Sequence, residues 1–335
     1  MHVNAPIASP EAIRELRAAR SPVMISHVVP DADALGSALA MALGWADEQR
    51  RPTVSLPPGS LSQRLSFLVE QADVPVATEE DFRQADLFVT LDTAKKERCN
   101  VPQALRGADW SRGRPLVNID HHSTNTRFGT INAIEADASS TSELVFHLLR
   151  SAERPITPLI ASLLYAGIQT DTLGFSLPTT TPSALRASAE LVELGADVGD
   201  LGERLGRSQR KSEFDLLRII YANTKVVGAG DVAYSSASFD EIQQAGCSAA
   251  DIDDQINVPR SLDGVRLAML LTEGRKGKTR INFRGSGIVA VLDLAAEFGG
   301  GGHSQAAGAV LDCSLDEAIA RVVPRAVEYV KRFAR

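Results

Sequence analysis

Four short segments carry acids and imidazoles at spacings that could bind metal ions. The first is His27-Val-Val-Pro-Asp31-Ala-Asp33, one imidazole and two carboxylates in a single short stretch. Pro30 stiffens it and keeps the residue before it extended. The second is Leu91-Asp92-Thr93-Ala94, the third Asn118-Ile119-Asp120-His121-His122, and the fourth Gln169-Thr170-Asp171-Thr172. Taken singly, each also has an ordinary structural reading. Asp33 or Asp92 could cap a helix, the paired histidines could be solvated in a loop, and Asp171 could be a loop acid.

The combination points to metal chemistry. Anions gathered in one place are costly unless cations neutralise them. Carboxylate plus imidazole without thiolate suits manganese, magnesium, iron or cobalt rather than a thiolate zinc site. The candidate ligands are His27, Asp31, Asp33, Asp92, His121 and Asp171. That is more than one ion needs from protein while keeping open positions. Two ions sharing a carboxylate is the economical arrangement, and such a pair, about 3.5–4 Å apart, can activate water and clamp a phosphoryl group. His121 and His122 are neighbours, and in an extended chain neighbours face opposite ways. One is therefore expected to bind metal while the other faces substrate.

These residues need a scaffold that brings them together. Residues 23–28, 53–56, 87–91 and 115–119 read as short buried strands, and residues 33–49, 61–70, 140–150, 158–169 and 183–194 as helices. Strands alternating with helices predict an α/β fold, a mainly parallel sheet with helices on both faces. Ligands of such sheets bind beyond the carboxyl ends of the strands, where three of the four segments fall. After residue 195 the rhythm changes. Residues 196–223 read as a connection ending in a helix, 212–223. Residues 224–335 read as a smaller α+β domain with strands near 232–238, 266–272 and 279–283. Residues 1–195 then form the catalytic domain, with the active site expected in the cleft between the two domains.

The second domain has its own signal, Phe298-Gly299-Gly300-Gly301-Gly302-His303-Ser304-Gln305-Ala306-Ala307-Gly308. Glycines remove side-chain obstruction and let backbone N–H groups approach an anion, and the run also reads as a hinge. His303 could add a donor, and Arg260, Arg284 and Lys278 could contact phosphate. Glu143 reads as support for a helix start, and His147 as a core-edge residue. Trp45 and Trp110 form no basic-aromatic stripe.

Bulk properties bound the function. The 335 residues carry 42 acids against 35 lysines and arginines, a net charge of −7. That argues against a protein that grips long duplex nucleic acid through a broad basic face, but not against a small anionic substrate. No apolar run reaches the roughly 18 residues of a membrane span, and no secretory signal is read at the N-terminus. Cys99, Cys247 and Cys313 show no metal-type spacing and read as free thiols, which fits a cytoplasmic location.

The ordered motifs, Ser26-His27 through Asp33, Leu91-Asp92-Thr93, Asp120-His121-His122 and Thr170-Asp171-Thr172, resemble those of the DHH phosphoesterases. The run from Gly299 to Gly308 resembles the glycine-rich signature of the DHH-associated C-terminal domain. Length, two-domain plan, Asn257-Val258-Pro259-Arg260-Ser261 and Arg280-Ile281-Asn282-Phe283-Arg284 are similar to the branch of bacterial nanoRNases and pAp phosphatases. The resemblance implies two divalent ions, Mn2+ first, with Mg2+ or Co2+ as substitutes. It implies that His27, Asp31 and Asp92 bind one ion, and Asp33, Asp92, His121 and Asp171 the other, with Asp92 bridging. Asp120 would orient its neighbours, and His122 would contact the scissile phosphate. Arg260, Arg284, Gly300, Gly301, Gly302 and His303 would hold the rest of the substrate. The implied substrates are 3′-phosphoadenosine 5′-phosphate (pAp), RNA of two to five nucleotides, and linear dinucleotides such as pApA. A homodimer is compatible with the resemblance. Ser304-Gln305 departs from the basic or small polar residue that relatives often carry there. The competing readings are a stand-alone cyclic-dinucleotide phosphodiesterase and, in a different class, a nucleotide-binding protein without catalysis.

Overall fold

The computed structural model describes residues 9–57, 61, 64–107, 109–206, 210–247, 253–302 and 304–333. It divides into two compact units, residues 1–208 and 209–335. In the first, strands β1 (Pro22–Ile25), β2 (Thr53–Ser55), β3 (Leu87–Leu91), β4 (Leu116–Asp120) and β5 (Ile131–Ile134) form one sheet in the order β2-β1-β3-β4-β5. Every pairing is parallel. The helices are α1 (Pro10–Ala18), α2 (Ala32–Trp45), α3 (Ser66–Ala72), α4 (Glu79–Gln84), α5 (Thr141–Ser151), α6 (Pro158–Asp171), α7 (Pro182–Glu193) and α8 (Val198–Gly206).

The strands are short apolar runs because both faces are covered. Met24, Val89, Leu91, Val117 and Ile119 join a core with α2, α5, α6 and α7. The alternate residues Val23, Ile25 and Phe88 meet Phe82 of α4 together with Cys99, Val101 and Trp110. On that second face Phe88 and Trp110 pack edge to face, centroids 5.1 Å apart. Arg114 ties α4 to the sheet by donating to the carbonyls of Phe82, Arg83 and Ala85. This is the α/β fold expected from the sequence.

Local chemistry sets the helix starts. Ser140, Thr157 and Thr181 cap α5, α6 and α7, and Pro158 and Pro182 occupy their first turns, where a missing N–H costs nothing. The helix expected over 33–49 starts at Ala32 and stops at Trp45, with Asp31 rather than Asp33 as its N-cap. The helix expected from residue 61 begins at Ser66.

The segment 196–223, expected as a connection, divides between the two units. Leu201 and Leu205 of α8 are buried in the first core, and Leu216 and Ile220 of the next helix in a core of the second unit. Glycine and arginine content suggested a linker there, but the apolar residues four apart on each helix still bury one face.

The second unit contains α9 (Lys211–Ala222), β6 (Lys225–Val227), β7 (Val232–Ala237), α10 (Phe239–Gln244), α11 (Asn257–Arg260), β8 (Leu267–Arg275), β9 (Lys278–Gly285), α12 (Leu292–Glu297), β10 (Gly301–Gly302), β11 (Ala306–Leu311) and α13 (Leu315–Val330). Its sheet runs β10-β11-β9-β8-β7-β6, antiparallel except between β7 and β8. Ala318, Val322 and Ala326 of α13 pack on one face and Leu216 and Ile220 of α9 on the other. Among the described residues no helix is long and apolar enough to cross a membrane. All three cysteines are free.

Helix α2 meets α6 at very close range. A Cβ built on Gly36 would lie 2.4 Å from the carbonyl oxygen of Leu163. Helix propensity alone would make Gly36→Ala stabilising by about 1 kcal/mol, whereas this overlap should cost about 1–3 kcal/mol. The variant should therefore melt at a lower temperature than the parent. An equal or higher melting temperature would show that the two helices part without penalty.

Candidate metal centre

The centre is assembled at the carboxyl ends of three adjacent strands. β3 lies between β1 and β4, so the residue after β3, Asp92, is flanked by the residues after β1 and at the end of β4. His27 follows β1 in a loop pinned to residues 98–100. Val28 N–H donates to the Arg98 carbonyl and Asn100 N–H to that of Ser26, with His27 opposite Cys99 in an antiparallel bridge. Asp92 turns the chain with a positive φ of 54°, a left-handed conformation that aspartate tolerates better than most residues.

Six of the six candidate ligands come together. Asp92 is buried, and different imidazoles approach its two oxygens. His27 Nε2 lies 3.7 Å from Oδ2, while His121 Nε2 lies 3.6 Å and His122 Nδ1 3.5 Å from Oδ1. His27 Nε2 is also 4.0 Å from Asp31, and His121 Nε2 is 3.2 Å from Asp171. Asp31 is an exposed helix cap whose Oδ1 accepts from Ala34 N–H. Asp171 is the last residue of α6. Asp33, in the first turn of α2, is buried and accepts from the backbone N–H groups of Thr141 and Ser142, at 2.7 and 2.8 Å.

The donor atoms form three groups that could each hold an ion, His27-Asp31-Asp92, Asp33-His121-Asp171 and Asp92-His121-His122. Several separations exceed hydrogen-bond length. Atoms bound to one ion at roughly 2.1 Å stand about 3–3.5 Å apart, so the spacing suits cations between these side chains. His27 Nδ1 is buried without a hydrogen-bond partner, so only its Nε2 faces protein groups, the carboxylates of Asp31 and Asp92. An ion on Nε2 would leave the ring proton on Nδ1.

His121 and His122 do not diverge as expected. β4 ends at Asp120, and beyond it the extended alternation no longer applies. The two rings pack edge to face with centroids 4.7 Å apart, both within reach of Asp92. Asp120 separates their surroundings. Fully buried, it accepts from His121 N–H at 2.9 Å, His122 Nδ1 at 2.7 Å and Asn125 Nδ2 at 2.6 Å. Asn125 also donates to Asn118 Oδ1.

The electrostatics are those of an anionic cluster awaiting compensation. Burial, then the charges of Asp92 and Asp171, pushes Asp33 well above the ordinary carboxyl range. Burial, with Asp92 and Asp31, pushes Asp171 up to about 8. Burial would also raise Asp92, but His27, His121 and His122 outweigh it and hold it below its usual value. The hydrogen bond to Asp120 raises His122 to about 9.

The remaining expected residues lie in the second unit. Arg260 is exposed at the end of α11, and Arg284 is half-buried on β9 opposite Ala268 and Ala306. Lys278 pairs with Asp312 at 3.5 Å. His303 lies outside the described residues. The glycines divide by role. A Cβ on Gly300 would meet Gly308 O at 2.1 Å, and one on Gly302 would meet Ala306 O at 2.5 Å, so both serve close packing of β10 on β11. Gly301 alone of the three faces open space.

Several residues of the site were not singled out by sequence reasoning. Thr141 Oγ1 donates to Asp92 Oδ1 at 3.0 Å. Glu143, expected to support a helix start, is fully buried and accepts from Ser139 N–H and Oγ, both at 2.8 Å. Gly167 leaves room beside Asp33, whose Oδ1 would lie 2.6 Å from a Cβ there. The polar run Ser139-Ser-Thr-Ser142 before an apolar helix was the available signal, and it reads equally well as capping alone. A cavity of about 480 Å3 at the amino ends of β1 and β2, lined by Ser21, Val23, Arg50, Arg51, Thr53 and Pro75 among others, contains none of the candidate ligands.

Comparison with known proteins agrees with this geometry. Residues 22–168 match the DHH family, N-terminal domain, a span that holds every candidate ligand except Asp171. The chain is 31% identical over 324 residues to the bifunctional oligoribonuclease and PAP phosphatase NrnA of Thermus thermophilus, covering 95% of this chain and 93% of that protein. It is 28% identical to the Bacillus subtilis protein of the same name, covering 92% and 94%. An exopolyphosphatase-related protein from Bacteroides fragilis superposes with a TM-score of 0.85 at 26% identity over 96% of both chains. The chain belongs to the DHH family.

The raised groups define a pH test. Asp33, Asp171 and His122 keep protons in the metal-free fold that the unfolded chain releases, near pH 4 for the acids and near 6.5 for the histidine. Through these groups the folded state binds more protons than the unfolded one, and the stability they contribute is lost as pH rises from about 4 to about 9. Asp33 and Asp171, as candidate ligands, must lose those protons to bind metal. At a fixed free Mn2+ concentration, the rise in melting temperature over an EDTA control should be larger at pH 8 than at pH 6. A metal-induced shift that is absent, or independent of pH, would contradict this account.

Proposed function

We propose that this protein is a divalent-metal-dependent phosphoesterase of short nucleotides, a pAp phosphatase and an exonuclease on very short RNA and linear dinucleotides such as pApA. The observation that carries this reading is the convergence of His27, His121 and His122 on the two oxygens of one buried carboxylate, Asp92, in a chain related along nearly its whole length to oligoribonuclease and PAP phosphatases.

In this reading His27, Asp31 and Asp92 hold one ion, and Asp33, Asp92, His121 and Asp171 the second, with Mn2+ the favoured metal. Such a pair supplies an activated water and neutralises charge on the phosphoryl oxygens. The protein groups do the rest. Asp92 keeps the two positions in register. Asp120 holds His122 through Nδ1, which leaves Nε2 to donate to a phosphate oxygen when the ring is protonated. Arg260, Arg284, His303 and the backbone at Gly301 are the candidates for gripping a second phosphate, Arg through its planar fork of donors.

The test is a substrate panel with the purified, Mn2+-loaded protein. Phosphate should be released from pAp and mononucleotide from pApA, and EDTA should abolish both. Binding of these nucleotides without turnover would leave only a nucleotide-binding protein, and faster attack on a cyclic dinucleotide would favour the cyclic-dinucleotide phosphodiesterase. Asp92→Ala should lower kcat/KM by at least about 100-fold, since a shared ligand serves both ions. Activity retained within about tenfold would refute the bridging role.

A further inference from the structure

Asp33 and Asp92 come from different elements, α2 and the end of β3, and both are buried. One residue touches both carboxylates. Thr141, fully buried at the first position of α5, donates its backbone N–H to Asp33 Oδ2 at 2.7 Å and its hydroxyl to Asp92 Oδ1 at 3.0 Å. We propose that Thr141 is a positioning residue that sets the orientation of the Asp92 carboxylate relative to Asp33, and thereby the spacing of the two metal positions. The proposal rests on the metal-centre reading above.

Three features support it. First, the hydroxyl has no competing partner within its own helix. A threonine in a helix interior bonds the carbonyl three or four residues back, but at the first helical position that turn does not exist. Asp92 Oδ1 accepts the hydrogen bond of the Thr141 hydroxyl. Second, the platform is braced. Ser140 Oγ accepts from Glu143 N–H at 3.1 Å, and the Glu143 carboxylate accepts twice from Ser139. The stretch 139–143 is therefore closed on itself, and Thr141 is held by main-chain geometry. Third, the acceptor oxygen is the one approached by both His121 and His122. A donor there fixes which lone pair of Oδ1 remains for an ion, and rotation of the carboxylate would break that bond.

Thr141→Val keeps shape and removes the donor, while Thr141→Ser keeps the donor. Mn2+ binding is read by calorimetry and by the electron paramagnetic resonance signal of coupled Mn2+ pairs, and turnover on pAp by kcat and KM. The valine variant should bind Mn2+ about 10–100-fold more weakly and lose the coupled-pair signal at metal levels that saturate the parent. Its kcat should fall while KM for pAp moves less than about threefold, and excess Mn2+ should restore part of kcat. The serine variant should recover most of the affinity and the paired signal. A valine variant with parental Mn2+ affinity and signal overturns the proposal, as does a serine variant no better than valine. Should valine prevent folding, Thr141→Ala against Thr141→Ser makes the same comparison with the same deciding outcomes. Failure of the parent itself to bind two ions would be a different result, since it removes the metal-centre reading before Thr141 is tested.

Discussion

The cost of keeping several carboxylates out of water governs this site. Asp33, Asp92 and Asp120 are all buried, and an unpaired buried anion is expensive. Each has a separate source of compensation. Asp33 sits on the N-terminus of α5, where two backbone N–H groups and the positive end of the helix dipole meet it. Asp120 takes three donors from residues 121, 122 and 125. Asp92 has the Thr141 hydroxyl and three imidazoles at distances too long for good hydrogen bonds. The compensation is most complete for Asp120 and least complete for Asp33 and Asp171, whose carboxyls are pushed above the ordinary range, and divalent ions beside Asp92 would supply the rest.

Strand order converts this electrostatic problem into an ordered site. The strands reach the sheet in the sequence β2-β1-β3-β4-β5, which places Asp92 centrally. A carboxylate there can be approached from both sides, by His27 from the β1 loop and by His121 and His122 from the β4 loop. Close helix packing completes the arrangement. Gly36 and Gly167 let α2 and α6 approach their neighbours, bringing Asp33 and Asp171 to the same end of the sheet.

The α/β class and the four segments that converge at the candidate metal centre were legible because they follow from local pattern, namely apolar runs ended by acids and histidines. The β3 range coincides with its expected one, and the remaining first-sheet strands expected from sequence shift by one to three residues at an end. Strand order was not legible, since pairing is settled by long-range packing, so the central place of Asp92 could not be deduced from spacing. The short strand β5, half-buried at the sheet edge, offers too little alternation to stand out. The cap of α2 falls on Asp31 because Asp33 is drawn inward by α5, a partner more than a hundred residues away. A separation of 49 residues likewise concealed Thr141, whose hydroxyl finds its acceptor, Asp92, only in three dimensions. In the glycine run, composition could not show that Gly300 and Gly302 also answer to the packing of β10 on β11.

The left-handed backbone at Asp92 constrains how this centre can change over evolutionary time. A residue with a positive φ of 54° admits glycine, asparagine or aspartate cheaply and taxes other side chains by about 1–2 kcal/mol. Of the three, only aspartate carries a charge. Lengthening this candidate ligand by one methylene, a change that would alter ion spacing, is therefore obstructed at this position by the main chain itself. Asp31 is under no such restriction, being an exposed cap with ordinary extended geometry. Drift in metal usage among descendants of this fold should enter at that outer corner and leave the inner one fixed.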